Sequence, residues 1–258
     1  MSLFSSGKIF LQRYPGLLSA ATRCYNLLLG RSRKKIHGHD NVFTGRSFLR
    51  RSSVVINGSH NVVDWGNSCF WDHCHIYIAG DHNKIVLGNR CVLHQLDLWL
   101  EDDGNTIIIG DHTHITGFTH LAATEGKAIV IGEDCLFASN VVVRTGDSHS
   151  ILDADRGIRL NPAQDTHIGN HVWLGAQATL LKGASIADHS VVGTGAIVTG
   201  KYAQSHVVLA GNPARIVKEK STGSRSGFRP MKTRKIPIIV LFYLHKIFRY
   251  NPTMTLND

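Results

Sequence analysis

The chain has 258 residues, 43% of them hydrophobic, which suits one large or two small folded domains and excludes disorder as its main state. Its 28 Lys and Arg against 19 Asp and Glu leave a net charge of +9, so the favoured partners are anionic: nucleic acid, an acidic membrane surface, an acidic glycan or the phosphates of a cofactor. The five cysteines (Cys24, Cys69, Cys74, Cys91 and Cys135) are odd in number and contain no C-x-x-C pair, which argues against a disulfide framework or a zinc ribbon and for a reducing, cytoplasmic compartment.

Near the start, Ile9, Phe10, Tyr14, Leu17, Leu18, Ala21, Tyr25 and Leu28 recur at roughly helical spacing with Pro15 interrupting, so residues 1–35 are expected to form a short helical cap. Polar residues break this stretch too often for a membrane span, and its basic cluster follows the apolar part. Neither a cleaved signal nor a transmembrane segment is expected.

Between residues 36 and 217 the dominant period is six, which is neither that of an amphipathic helix nor that of a simple alternating strand. Leu87, Leu93 and Trp99 keep it, then Ile109, Ile115 and Leu121, then Ile131, Phe137 and Val143. The clearest run is Ile168, Leu174, Leu180, Ile186, Val192 and Val198, several of them followed by a small residue: Gly169, Gly175, Ala187, Gly193. An aliphatic residue every sixth position describes a short strand and a turn, and three such units close a triangular coil whose aliphatic side chains stack inward. The pairs Leu87-Gly88, Ile109-Gly110 and Ile131-Gly132 recur at 22 residues, four more than three hexads. The surplus is expected in the polar corners 80–83, 103–106 and 125–128, which are rich in Gly, Asn and Asp. The fold class is therefore all-β, a parallel β-helix over residues 36–217. Residues 218–258 are expected to be a linker followed by a basic and apolar segment, Ile236–Phe248 at its centre, too short to span a membrane. It is expected to cap the solenoid or a neighbouring subunit, with peripheral contact to anionic lipid as the alternative.

One coil is interrupted. After Val143 the chain runs through RTGDSHSILDADRGIRLNPAQDTH before the frame resumes at Ile168, and loops on rigid scaffolds are where function concentrates. Asp147 and His149 are two apart, so in an extended segment they share a face and the carboxylate could orient the imidazole. Arg144, Arg156 and Arg159 flank the histidine and would suit a carboxylate-bearing sugar. Ala176 and Thr194 are eighteen residues apart and stack at one corner.

From Arg144 to Lys218 the segments RTGDSHSILD, IGNHVWLGAQATLLKGASI, VVGTGAIVTG and VVLAGNPARIVK resemble, in order and spacing, the hexapeptide-repeat acyltransferases. That family includes galactoside, maltose and serine acetyltransferases and capsule O-acetyltransferases. The resemblance implies a left-handed β-helix, a homotrimer with active sites between subunits, and acetyl-CoA as co-substrate without a metal. It places His149 as the general base, work to which histidine is suited, and Trp173 beside the acetyl group or the CoA arm. It implies that the backbone at Gly175, Ala176, Gly193, Thr194 and Gly195 holds the pantetheine arm, and that Lys201, Arg215 and Lys218 meet the phosphates. The family's basic residue directly after V-T is Gly200 here, with Lys201 following, which weakens that one contact. The acceptor implied is a saccharide hydroxyl, first of all on an acidic capsular or surface polysaccharide, in a cytoplasmic protein or one at the inner face of the membrane.

Two other functions fit parts of the sequence. A γ-carbonic-anhydrase-like zinc enzyme would use pairs such as His73 and His75, His112 and His114, or His167 and His171, although these histidines fall where turns are expected. A non-catalytic glycan-binding β-helix is the other. Nucleic-acid binding is not expected, because the repeat lacks aromatic residues interleaved with basic ones for base stacking.

Overall fold

The structure, a computed structural model, describes residues 15–224. The apolar and basic segment expected after residue 224 lies outside them, as do residues 1–14. A helix, Pro15–Leu28, opens the described chain. Pro15 stands at its first position, where a missing N–H costs nothing. Asn26 joins this helix to the first coil: its Nδ2 donates to the Ser47 carbonyl (2.9 Å) and its Oδ1 accepts from Leu49 N–H (2.9 Å). No helix of the described residues is long and apolar enough to cross a membrane.

From Arg33 onward the chain winds as a left-handed parallel β-helix with three faces. The first face is an eight-stranded parallel sheet running from Arg33–His37 through His75–Ala79, Leu96–Glu101, Thr119–Ala123 and Val141–Arg144 to Ile197–Val198. The second face includes Lys84–Leu87, Thr106–Ile109, Ala128–Ile131 and Thr166–Ile168; the third includes Val92–His94, His114–Ile115, Trp173–Leu174 and Val191–Val192. The strand Arg215–Lys218 turns back antiparallel to Val208–Ala210. Inside lies a dry column: Ile168, Leu174, Leu180, Ile186, Val192 and Val198 are each no more than 2% exposed.

Coil length changes along the solenoid. Corresponding residues of successive coils are 20 apart at the first step, as between Asn41 and Asn61, then 22 apart, as between Asn61 and Asn83, and 18 apart after the interruption, as between Asn170 and Asp188. The longer coils have five- or six-residue strands on the first face where the later ones have two, and they turn the next corner through bends at 80–82, 102–104 and 125–126, where the sequence led us to expect the surplus.

The strict hexad fails at Trp99. The corner between Leu93 and Leu96 is one residue shorter than its successor, since Leu96 pairs with Thr119 at an interval of 23 while Leu93 pairs with Ile115 at 22. Parity therefore slips: Leu96, Leu98 and Leu100 point inward at 0% exposure, and Trp99 points outward from the first face, stacked on Tyr77 at 4.2 Å.

Polar ladders hold the corners. Asn41, Asn61, Asn83 and Asn105 occupy one corner of successive coils, and each Oδ1 accepts the backbone N–H of the equivalent residue in the next, at 3.0, 2.8, 2.9 and 3.2 Å, ending on Lys127. At another corner Ser47, Cys69, Cys91, Thr113 and Cys135 form a second column, in which Ser47 Oγ accepts from Cys69 N–H and Cys69 Sγ from Cys91 N–H. The buried thiols are thus part of the scaffold, and burial pushes the Cys74 thiol up to about 12. The turn residues include His60, His82, His112, His171, His189 and His206, all with φ between 53° and 59°. Most histidines of the G-x-H-N type are there to turn the chain.

Substituting Asn105→Ala removes the Oδ1 that accepts Lys127 N–H, leaving that N–H only the Thr124 carbonyl (3.3 Å), and strips the Glu101 and Asp102 carbonyls of the Nδ2 donor (2.6 and 3.0 Å), a change worth about 1–3 kcal/mol. The thermal unfolding midpoint should fall while the far-ultraviolet circular dichroism of the folded state stays the same. An unchanged midpoint would show that the corner does not depend on the ladder.

Candidate active site

The interruption is a hairpin on the corner between the first and second faces. Leu152 and Arg159 form an antiparallel bridge, Leu160 N–H donates to the Ile151 carbonyl (2.8 Å), and Asp153 N–H donates to the Ile158 carbonyl (2.8 Å). The turn is built by Asp153, whose Oδ1 accepts the N–H groups of Asp155 and Arg156 (3.0 and 2.7 Å), and by Gly157 at φ +66.

Asn161, 5% exposed, organises the base of the hairpin. Its Nδ2 lies 2.8 Å from both the Asp147 carboxylate and the His149 carbonyl, and its Oδ1 accepts Ile151 N–H at 2.6 Å. Lys182, from the coil above, donates to Asp147 Oδ2 and to the Asn161 carbonyl (3.2 Å). Glu125, from the coil below, pairs with Arg159 and accepts Ala163 N–H at 3.1 Å. The loop bearing His149 is therefore clamped from both sides of the break. Lys182 and then Asn161 hold the Asp147 carboxyl below its usual range, as Arg159 holds that of Glu125.

His149 is exposed, and among the described residues its ring has no hydrogen-bond partner. The Asp147 hydrogen bonds go to Lys182 and Asn161, so this carboxylate orders the histidine's backbone in the structure. Of the three arginines, Arg159 is engaged by Glu125 and Arg156 stands exposed at the hairpin turn. Arg144 is half-buried, has no ion-pair or hydrogen-bond partner for its guanidinium among the described residues, and lines a cleft of about 310 Å³ together with Gly146 and Ser148.

The residues expected to hold CoA separate into groups. Ala176 and Thr194 do stack: Gly195 N–H donates to the Ala176 carbonyl (2.8 Å), at the corner between the third and first faces. Gly175 is required by the scaffold, because a Cβ there would sit 2.8 Å from Thr194 N. Gly195 has φ +69 and open space beside it, and Gly193 packs against Ala210. Trp173 lies outward on the third face, 39% exposed, with Gly223 against it. Lys201 lies on the second face, and Arg215 and Lys218 lie on the antiparallel closing strand. Within the chain, His149 and the corner of Ala176 and Thr194 are on different edges of the triangle.

Three of the six histidines considered for zinc are engaged elsewhere. His73 Nδ1 lies 2.8 Å from Asp72, His75 Nδ1 3.0 Å from Asp97, and His171 lies between Asp134 (2.7 Å) and the Gly223 carbonyl (3.1 Å). Among the described residues, the only group of His, Cys, Asp or Glu spaced to share an ion is His39, Asp40 and His60, all exposed and none from those pairs. Sequence reasoning missed Asn161, Lys182 and Glu125. The Asn-Pro dipeptide at 161–162 is a turn signal that marks the first; Lys182 and Glu125 are brought in only by coil stacking.

Residues 165–200 match the sequence model described as bacterial transferase hexapeptide (six repeats). A polysialic acid O-acetyltransferase of Escherichia coli O1:K1 / APEC is 34% identical over 93 residues, which are 36% of this chain and 30% of that protein. The chain thus spans less than a third of this curated relative in alignment. The crystal structure of the polySia-specific acetyltransferase NeuO superposes with a TM-score of 0.66 at 27% identity, covering 78% of this chain and 92% of that one. That of the polysialic acid O-acetyltransferase OatWY does so with 0.59 at 25%, covering 78% and 94%.

Two expectations follow for the hairpin. Asn161→Ala should speed amide hydrogen exchange across residues 147–161 while the coils stay protected, and equal protection there would show that Asn161 is not its anchor. The pH dependence has a definite sign: the folded-state pKa values of Asp147 and Glu125 are depressed, so their contribution is fully present above the ordinary carboxylate range and is lost as pH falls through the folded values. Hairpin protection, measured against that of the coils, should be level at neutral pH and decay only in acid.

Proposed function

We propose, for a chain that carries the hexapeptide repeat of bacterial transferases, that it is an acetyltransferase moving the acetyl group of acetyl-CoA to a hydroxyl of an acidic surface or capsular polysaccharide. The observation that carries this reading is His149: an exposed imidazole with no partner in its own described chain, on a loop clamped by Asn161, Lys182 and Glu125.

Such a ring can take the proton from an acceptor hydroxyl as its oxygen attacks the thioester carbonyl carbon. Collapse of the tetrahedral intermediate breaks the carbon–sulfur bond, and the imidazolium returns its proton to the departing thiolate, leaving an ester and free CoA. No acyl-enzyme is needed. An imidazole can both accept and return a proton, as this exchange requires. Backbone N–H groups at the corner of Ala176 and Thr194 are fixed by stacking, so they could stabilise an oxyanion with little reorganisation. Trp173 is the candidate wall for the acetyl group, and Lys201, Arg215 and Lys218 are candidates for the phosphates.

The separation of His149 from the Ala176 and Thr194 corner supports a site shared between subunits, in which one copy supplies the base and another the groove. Four apolar side chains of the hairpin, Ile151, Leu152, Ile158 and Leu160, are 56–59% exposed, and a neighbouring β-helix would cover them. The trimer is the assembly this reading adopts, closed by rotation about an axis parallel to the solenoids. The net charge of +9 supports an anionic acceptor, in a cytoplasmic protein that works at the inner face of the membrane.

Replacing His149→Ala should lower kcat by about 10²–10⁴-fold, with CoA affinity by calorimetry unchanged. Full acetyl transfer by this variant to a polysaccharide acceptor, followed by mass spectrometry of the ester, would remove the assignment. The double change Ile151→Asp and Leu160→Asp should convert the oligomer to monomers by light scattering and abolish turnover. An active monomer would sink the shared site.

A further inference from the structure

The first face carries a feature unrelated to folding. Its outward positions stack in columns from coil to coil, and one column reads Tyr77, Trp99, Ala122, Arg144, each aligned with the next by strand register. Tyr77 and Trp99 stack with ring centroids 4.2 Å apart. The next rung up is only an alanine. Adjacent rungs are about 4.8 Å apart, so Trp99 and Arg144 are separated by about 10 Å with almost nothing between them. That is the room for one flat ring between an indole face and a guanidinium, each at stacking distance.

The walls of this slot are polar. His120, on the alanine's own rung, donates from Nδ1 to Asp97 (2.7 Å), and Asp97 also receives His75 Nδ1 (3.0 Å). Burial raises the Asp97 pKa, and the two imidazole hydrogen bonds more than offset it, so this carboxyl is held charged. With Nδ1 committed to Asp97, the His120 Nε2 is left for a ligand. Glu101 lies on the rung of Trp99 and lines the same cleft, which reaches Ser148, next to His149.

We propose that this slot is an acceptor subsite that holds one pyranose unit of the acidic polysaccharide. The apolar face of the sugar lies on Trp99, its hydroxyls meet His120 Nε2 and Glu101, and its carboxylate pairs with Arg144. Arg144 is the one cation lining the cleft whose guanidinium has no partner among the described residues, which selects a carboxylate-bearing unit over a neutral one. Tyr77, one rung further from His149, continues the track for the next unit of the polymer. This inference rests on the acceptor being a saccharide, as proposed above, and makes the aromatic column the element that distinguishes a polymer from a single sugar.

The test is binding by the full chain, carrying His149→Ala so that nothing turns over. The probes are sialic acid oligomers of increasing length, and the same oligomers with their carboxyl groups reduced. The expected result is that affinity rises with length, that Trp99→Ala weakens binding of the longer oligomers at least about tenfold, as loss of a stacking platform should, and that Trp99→Phe restores most of it. Arg144→Gln should abolish the preference for the carboxylate over the reduced form. Trp99→Ala and Arg144→Gln variants that bind like their parent would overturn the subsite, as would a parent that binds neither oligomer. Acetyl-CoA turnover by the wild-type chain is measured separately: binding as expected without turnover leaves the subsite standing and removes the enzymatic reading instead.

Discussion

A coil that stacks on itself must satisfy its backbone at three corners per turn, where the regular parallel ladder breaks. The strands present no difficulty, since each N–H finds a carbonyl one rung away. At the corners a buried amide without a partner costs about as much as a lost core methylene or two, and the error would repeat on every turn. This chain answers with side chains that substitute for strand: the Asn41-to-Asn105 column at one corner and the Ser47, Cys69, Cys91, Thr113, Cys135 column at another. Because each ladder side chain binds the coil after its own, register is transmitted along the whole solenoid. A displaced rung would break hydrogen bonds on both of its neighbours.

That rigidity is what allows the hairpin to be long without being loose. Its insertion leaves the strands on either side paired at an interval of 37, so Val142 still meets Thr179 and Ile129 still meets Thr166. The hairpin is held at its root by groups from both adjoining coils, Glu125 below and Lys182 above. Ion pairs at an exposed surface are weak individually, but here they converge on one nearly buried amide, Asn161, which shares the Asp147 carboxylate with Lys182. The outcome is an ordered main chain carrying an imidazole with no hydrogen-bond partner among the described residues, the combination on which the proposed general base rests.

Much of this was legible in the sequence because a solenoid turns three-dimensional neighbours into a fixed interval. Ile168 to Val198 could be assigned to the core from spacing alone, and the 22-residue coils could be counted from the Leu-Gly and Ile-Gly pairs. What failed was Trp99, and the cause is specific: a corner one residue shorter reverses the parity of the following strand, and alternation cannot show this until the deletion is placed. The carboxylate two residues from His149 was a sound inference from an extended chain. In the folded hairpin Lys182 competes for it, and a lysine 35 residues away leaves no trace in local spacing. The histidines carried two readings, since a left-handed turn residue and a metal ligand share the same letter, and the turn that the polar corners suggested is what His73, His112 and His171 make.

The same parity slip connects scaffold to chemistry. Before the interruption the coils are wide, their first-face strands are long, and their outward positions carry bulky side chains such as Tyr77 and Trp99. After it the coils are narrow, and their corners hold Gly175, Gly193 and Gly195, where only small residues fit against the next rung or leave open space. His149 emerges at the boundary between these two regimes. A face built of large polar and aromatic side chains can discriminate among sugars, whereas corners of backbone and glycine can hold a thin, flexible chain while making few demands on its shape. On the proposed reading, the change of coil length at the hairpin divides the surface into a part fitted to recognise an acceptor and a part fitted to accommodate the CoA arm, with His149 between them.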